Sequence, residues 1–194
     1  MLNLNLKTQK SIVRTTAREL VAAMGEDARR EASERIQSLL GQFAKKGGFG
    51  RIFCYYGVKH EVATLCFMQS CLEDGRELYL PRCESGRPLE FFKTLSLDDL
   101  TPDIFGIPSP APQGRPELPR EGDLIVVPGA AFCADGRRLG RGGGYYDRFL
   151  KDSPALHAGL CFGCALFDSI PHDMYDISVR LVITEMGVTE TDVG

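Results

Sequence analysis

The residues best equipped for chemistry sit together in RLGRGGGYYDRFL, positions 138–150. Gly140, Gly142, Gly143 and Gly144 fall within five positions, with Gly136 just upstream. Arg137, Arg138, Leu139 and Arg141 stand among them, and Tyr145, Tyr146 and Asp147 follow. Glycine lets the main chain approach a ligand closely and adopt positive φ. A glycine-rich turn between a strand and a helix aims backbone N–H groups at one spot, and the helix N-terminus adds a positive dipole end. Arginine forks match phosphate geometry. Asp147 is a hard oxygen ligand of the kind Mg²⁺ takes beside nucleotide phosphates. Together these residues read as a nucleotide-phosphate site. No Lys-Ser/Thr follows the glycines, so this is no Walker loop, and the spacing is not GxGxxG. Glycines alone would equally describe a mobile loop with solvated arginines. The strand before them, the arginines and the Tyr-Tyr-Asp after them favour phosphate.

Other chemistry is thinner. No serine or cysteine comes with an evident base. Of seven cysteines, Cys54, Cys66, Cys71, Cys83, Cys133, Cys161 and Cys164, most lie in apolar strings where cysteine acts as a small buried hydrophobe. Cys161 and Cys164 form a CxxC, expected inside a strand, without a second pair or histidines at zinc spacing, so packing is the expected role. A reducing compartment fits this usage.

The elements that must carry the loop are legible as periodicity. Helices are expected over 10–24 and 26–45, forming an N-terminal helical segment within 8–45. Apolar runs at 51–57, 77–81, 123–129, 158–166 and 180–185 are continuous rather than alternating, as in strands covered on both faces. A helix is expected over 61–75, and 89–95 reads as a further strand or a hairpin arm. Residues 101–122 hold six prolines and are expected to form an irregular surface connection. The expected architecture is α/β: one three-layer α/β/α domain over 1–194 with a mostly parallel sheet.

With 194 residues, 43% apolar and 25% charged, the chain can bury a core without staples. A net charge of −3 gives no basic field for nucleic acid or anionic membrane. No apolar run reaches the ~18 residues of a membrane span. The N-terminus lacks the order of a signal peptide. A cytoplasmic monomer is expected.

VPGAAFCADGRRLGRGGGYYDRFL closely resembles the signature of the 5-formyltetrahydrofolate cyclo-ligase (methenyltetrahydrofolate synthetase) family. Lys10 with Arg14, Glu61 with Thr64, DGRELYLPR, FGIPSP and IPHDMYDISVRLVITE match further family elements in order and spacing over nearly the whole chain. The resemblance implies that ATP, with Mg²⁺, phosphorylates the N5-formyl oxygen of 5-formyltetrahydrofolate. N10 then attacks, and phosphate leaves to give 5,10-methenyltetrahydrofolate and ADP. It implies that Lys10 and Arg14 reach the ATP phosphates and that Arg138–Tyr146 cradle the nucleotide. Arg141, with Lys10, would act on the transferring phosphoryl. Glu61, Arg141 and Tyr145 would contact folate, and Asp147 and Asp176 would hold Mg²⁺. Singly, each has a plainer account: a solvated helix face for Lys10 and Arg14, a helix-start acid for Glu61, a turn residue for Asp176.

Departures fall at Cys133, Ala63, Ala165, Arg180, Ser109 and Tyr175, where the family usually carries acids, a glutamine or a histidine. They put the folate half of the pattern in question more than the nucleotide half. Two alternatives therefore stand beside the cyclo-ligase: an ATP-dependent relative acting on another formyl or amide compound, and a non-catalytic nucleotide-binding protein.

Overall fold

The computed structural model describes residues 5–86 and 88–191. The two ends of the 1–194 span, including the first four residues of the stretch read for a signal peptide, lie outside the described residues. Helices α1 (Leu6–Ala23) and α2 (Glu26–Lys46) lead into strand β1 (Arg51–Phe53). Then come α3 (Leu65–Glu73), β2 (Glu77–Arg82), β3 (Glu90–Thr94), β4 (Thr101–Pro102), β5 (Pro108–Ser109) and β6 (Leu124–Val127). The chain ends with β7 (Ala131–Phe132), β8 (Arg138–Leu139), α4 (Tyr145–Leu150), β9 (Leu156–Leu160), β10 (Leu181–Thr184) and β11 (Gly187–Glu190).

The central sheet runs β11-β10-β9-β6-β1-β2-β3. Its middle five strands are parallel, and β3 and β11 join antiparallel at the edges. This is the mostly parallel α/β architecture expected. The apolar runs explain it: every residue of β6 and β10 is buried, which a strand needs when both faces are covered. Residues 89–95 resolve as the hairpin arm, Leu78 pairing with Thr94 and Arg82 with Glu90.

Several expectations are corrected. The strand expected over 51–57 stops at Phe53, because Thr64 reaches back over the chain beyond it. Its hydroxyl donates to Tyr55 O at 2.7 Å and accepts from Gly57 N at 3.1 Å. The same contacts hold 55–64 as a loop, so α3 begins at Leu65 rather than 61. The segment 101–122 is not wholly irregular. Asp103 Oδ1 accepts from Phe105 N and Ile107 N at 2.8 and 3.0 Å, turning the chain so that β4 pairs with β5. Prolines fit this two-strand ladder because both strands are edges. Finally, the CxxC is not in a strand. β9 ends at Leu160 and Gly163–Ala165 make a 3₁₀ turn, which Glu185 fixes by accepting from Gly163 N at 2.9 Å. Burial pushes the Cys161 thiol up, consistent with packing.

β9 also carries a pH liability. His157 is buried, its Nε2 without a partner among the described residues, and burial, with Arg180 and Arg138 adding repulsion, pulls its pKa down to about 4. The folded state thus favours the neutral ring. This stabilisation is complete above the ordinary value of 6.5 and is lost as pH falls from there toward 4. It amounts to about 3 kcal/mol at most. Urea midpoints should fall across that window, and less steeply in His157→Gln; parallel profiles would contradict this.

Candidate active site

The sheet order places β2 on one side of β1 and β6 on the other, so winding reverses between β1 and β6. Open α/β sheets leave a crevice at such a point, beyond the carboxyl ends of the strands. A cavity of about 300 Å³ opens there. Tyr55, Tyr56 and Glu61 line it from beyond β1, Pro81 from β2 and Cys83 just past its end, and Pro128 from beyond β6. The glycine loop and Arg138, Tyr145, Tyr146 and Asp147 complete the wall.

The loop does not follow β6 directly, as the sequence reading had it; the β7–β8 hairpin intervenes. Gly142 and Gly144 take φ of 108° and 65°, left-handed conformations that a side chain would resist. Two arginines pin the loop by its carbonyls. Arg14 Nε donates to Gly140 O at 2.7 Å, and Arg148 Nη1 donates to Gly143 O at 3.1 Å. Among the described residues, the amides of residues 141–144 donate to no protein acceptor. α4 spans only six residues, so its dipole adds little, and these amides with nearby cations must supply the attraction for an anion.

Arg14 apart, the expected cations Lys10, Arg138 and Arg141 are each paired with a carboxylate. Arg141 Nη2 lies 2.6 Å from Glu61 Oε2. The Arg141 side chain is 51% exposed, whereas that of Glu61 is only 10%. Burial raises the Glu61 carboxyl, and the guanidinium opposes that rise. Val58 N also donates to Glu61, at 3.2 Å. Lys10 Nζ, on α1, sits between Asp176 Oδ2 at 2.5 Å and Asp173 Oδ2 at 2.7 Å. Arg138 Nη2 donates to Asp147 Oδ1, and its Nη1 to Pro128 O at 3.2 Å. Tyr146 turns a buried, unpartnered hydroxyl into this setting, and burial, with Glu61 adding to it, pushes that hydroxyl's pKa up.

The structure thus gathers Glu61, Arg138, Gly140, Arg141, Gly143, Gly144, Tyr145, Tyr146 and Asp147 around one cavity. Arg14 and Gly142 meet behind the loop, where the Arg14 guanidinium would touch a side chain at 142. Leu139 is a core residue, 1% exposed. Arg138 is 2% exposed, so it is a buried clamp on Asp147 rather than an open donor. Lys10 and Asp176 stand beside the cavity wall, and Ile177 N donates to Asp147 Oδ1 at 3.3 Å, bringing the 173–177 turn against that residue. Of the departures, Ala63, Cys133, Ala165, Arg180 and Tyr175 do not line the cavity; Ser109 does. Cys83 and Asp173 belong to this region too and were not singled out from sequence, because neither lies in a recognisable spacing.

No group of three or more His, Cys, Asp and Glu converges as a metal cage among the described residues. Asp147 and Asp176 suit a hard cation that takes most of its ligands from phosphate and water. Among the described residues, no helix is long and apolar enough to cross a membrane.

Fold and site together define a mostly parallel α/β protein with a charge-lined cleft at its topological switch point. Three comparisons carry this further. The family model described as the 5-formyltetrahydrofolate cyclo-ligase family matches residues 6–185. A relative from Arabidopsis thaliana named "5-formyltetrahydrofolate cyclo-ligase, mitochondrial" is 32% identical over 208 residues, covering 93% of this chain and 75% of its own. One from Haemophilus influenzae, a "5-formyltetrahydrofolate cyclo-ligase", is 28% identical, covering 89% and 96%. The solved Aquifex aeolicus 5,10-methenyltetrahydrofolate synthetase superposes with a TM-score of 0.83 at 32% identity, covering 95% of this chain and 94% of that one. This chain belongs to the 5-formyltetrahydrofolate cyclo-ligase family.

Proposed function

We propose that this protein uses ATP and Mg²⁺ to cyclise 5-formyltetrahydrofolate to 5,10-methenyltetrahydrofolate. One observation carries the reading: unpartnered loop amides and the Arg141–Glu61 and Arg138–Asp147 pairs lie at a single cleft, with the Lys10–Asp176 pair beside its wall, in a chain of this family. An amide oxygen leaves poorly, so the γ-phosphoryl is first transferred to the formyl oxygen and ADP departs. N10 then bonds to the formyl carbon and loses its proton, while the C–O bond breaks and inorganic phosphate leaves. Such chemistry needs positioning and charge neutralisation more than a protein nucleophile.

The amides of 141–144 cradle the phosphates, with Lys10 beside them, and Arg14 holds the loop from behind. Among the described residues Arg141 is tethered by Glu61 alone, and it is exposed enough to swing onto the transferring phosphoryl. Its release leaves the Glu61 carboxylate for hydrogen bonds from the pterin. Asp147 and Asp176 would hold Mg²⁺, which when bound offsets phosphate charge. Arg138 keeps Asp147 oriented. Most of the departures lie off the cavity, which supports folate over another formyl compound.

Mixing the protein with 5-formyltetrahydrofolate, ATP and Mg²⁺ should raise the absorbance of the methenyl product and release phosphate in equal amount. Phosphate release with a different formyl or amide compound only, or nucleotide binding with no release, would replace this reading. Glu61→Gln should raise KM for the formyl-folate about tenfold or more, from loss of a charge-assisted hydrogen bond worth ~1.5–3 kcal/mol. The KM for ATP should change little; equal shifts in both would remove Glu61 from the folate side.

A further inference from the structure

Lys10 has one carboxylate more than it needs. Asp176 Oδ2 takes both Lys10 Nζ at 2.5 Å and Asp173 N at 2.8 Å, so that oxygen is fully engaged. Asp173 holds the same Nζ at 2.7 Å through Oδ2. It need not move to do so, because its Oδ1 is fixed by Tyr175 N at 2.8 Å. The Lys10 side chain is 11% exposed and that of Asp176 15%, whereas Asp173 is 32% exposed. A shielded ammonium cannot give up one counter-ion without another at hand.

We infer that Asp173 is a positioning residue: it retains Lys10 when Asp176 turns to a divalent cation, and so lowers the cost of recruiting Asp176. The inference rests on the proposed roles of Lys10 and Asp176. With Asp173 absent, Asp176 is the only carboxylate holding Lys10, and a metal must break that pair outright. With Lys10 absent, Asp176 has no ammonium to give up and the Asp173 side chain has no cation to retain. A direct electrostatic pull of Asp173 on the metal would instead persist without Lys10.

The test is a double-mutant cycle read by Mn²⁺ binding, using electron paramagnetic resonance of free Mn²⁺ in the presence of an ATP analogue whose γ-phosphoryl cannot transfer. Asp173→Asn should weaken Mn²⁺ about fivefold, within the range of coupling among members of one ion-pair network. Asp173→Glu should recover most of this. In the Lys10→Met background, Asp173→Asn should change Mn²⁺ affinity by less than about twofold, the limit of additivity for uncoupled groups. An undiminished loss in that background, or none in the single variant, overturns the inference. Should Lys10→Met not fold, loss in Asp173→Asn with recovery in Asp173→Glu supports it, and equal loss in both overturns it. Asp176→Asn serves as the reference. If it leaves Mn²⁺ binding intact, the metal role of Asp176 fails; if it weakens binding while Asp173→Asn does not, only the present inference fails.

Discussion

Arg141→Ala should lower turnover by about two to three orders of magnitude, the usual cost of removing a donor aimed at charge that develops during reaction. The KM for ATP should move by no more than about tenfold, less than the ~1.5–3 kcal/mol of a full contact to a charged group. The asymmetry follows from where Arg141 stands. Its guanidinium is engaged by Glu61 at 2.6 Å, so binding a ground-state phosphate there must first disrupt an existing pair. That exchange returns little net affinity. Charge spreading over the transferring phosphoryl adds attraction that the ground state lacks, and only this difference raises the rate. Arg141→Lys should recover little, because a point charge does not reproduce a two-pronged contact. Steady-state kcat and KM with ATP varied at saturating formyl-folate separate the two effects. Unchanged turnover in a folded variant would take Arg141 out of its assigned role.

Asp147→Asn should do two things at once. It should raise the Mg²⁺ concentration needed for activity, and it should destabilise the fold by about 3 kcal/mol. The second effect comes from Arg138. Burial pulls that guanidinium's pKa down, Asp147 is the carboxylate bonded to it that most offsets this, and the Arg138 Nε has no partner among the described residues. Removing the compensating charge leaves a cation in a place water does not reach. For a chain of this size, 3 kcal/mol corresponds to a melting temperature lower by roughly 6–12 °C. Adding Arg138→Met should restore much of the stability, since it removes the stranded charge, without restoring the metal requirement. Calorimetry on the single and double variants, with a Mg²⁺ titration of activity, reads both effects. A single variant that melts with the parent would show that Asp147 carries no structural charge balance.

The sequence anticipated the scaffold well where burial alone decides the pattern. Leu124–Val127 and Leu181–Ile183 are unbroken apolar runs because each strand is covered twice, and the helix expected over 26–45 forms as α2 with Ile36 and Leu40, four positions apart, both buried. Boundaries set by a single side chain escaped it. Nothing local tells a reader that the Thr64 hydroxyl closes a loop rather than capping a helix, or that the Asp103 carboxylate folds a proline-rich stretch into a ladder.

The same division runs through the site. Residue types and spacing by themselves singled out the glycine loop, its arginines and Asp147 as one charged module, because those groups suit phosphate and a hard cation and local order suffices to name them; Lys10, Glu61 and Asp176 joined it only through the family resemblance. Tertiary structure alone decided which of them face each other: Arg138 turned inward to Asp147, Arg141 closed on Glu61, and Lys10 held by residues 163 and 166 positions away. Ion pairing between distant segments depends on distance and burial, and neither is written in local sequence.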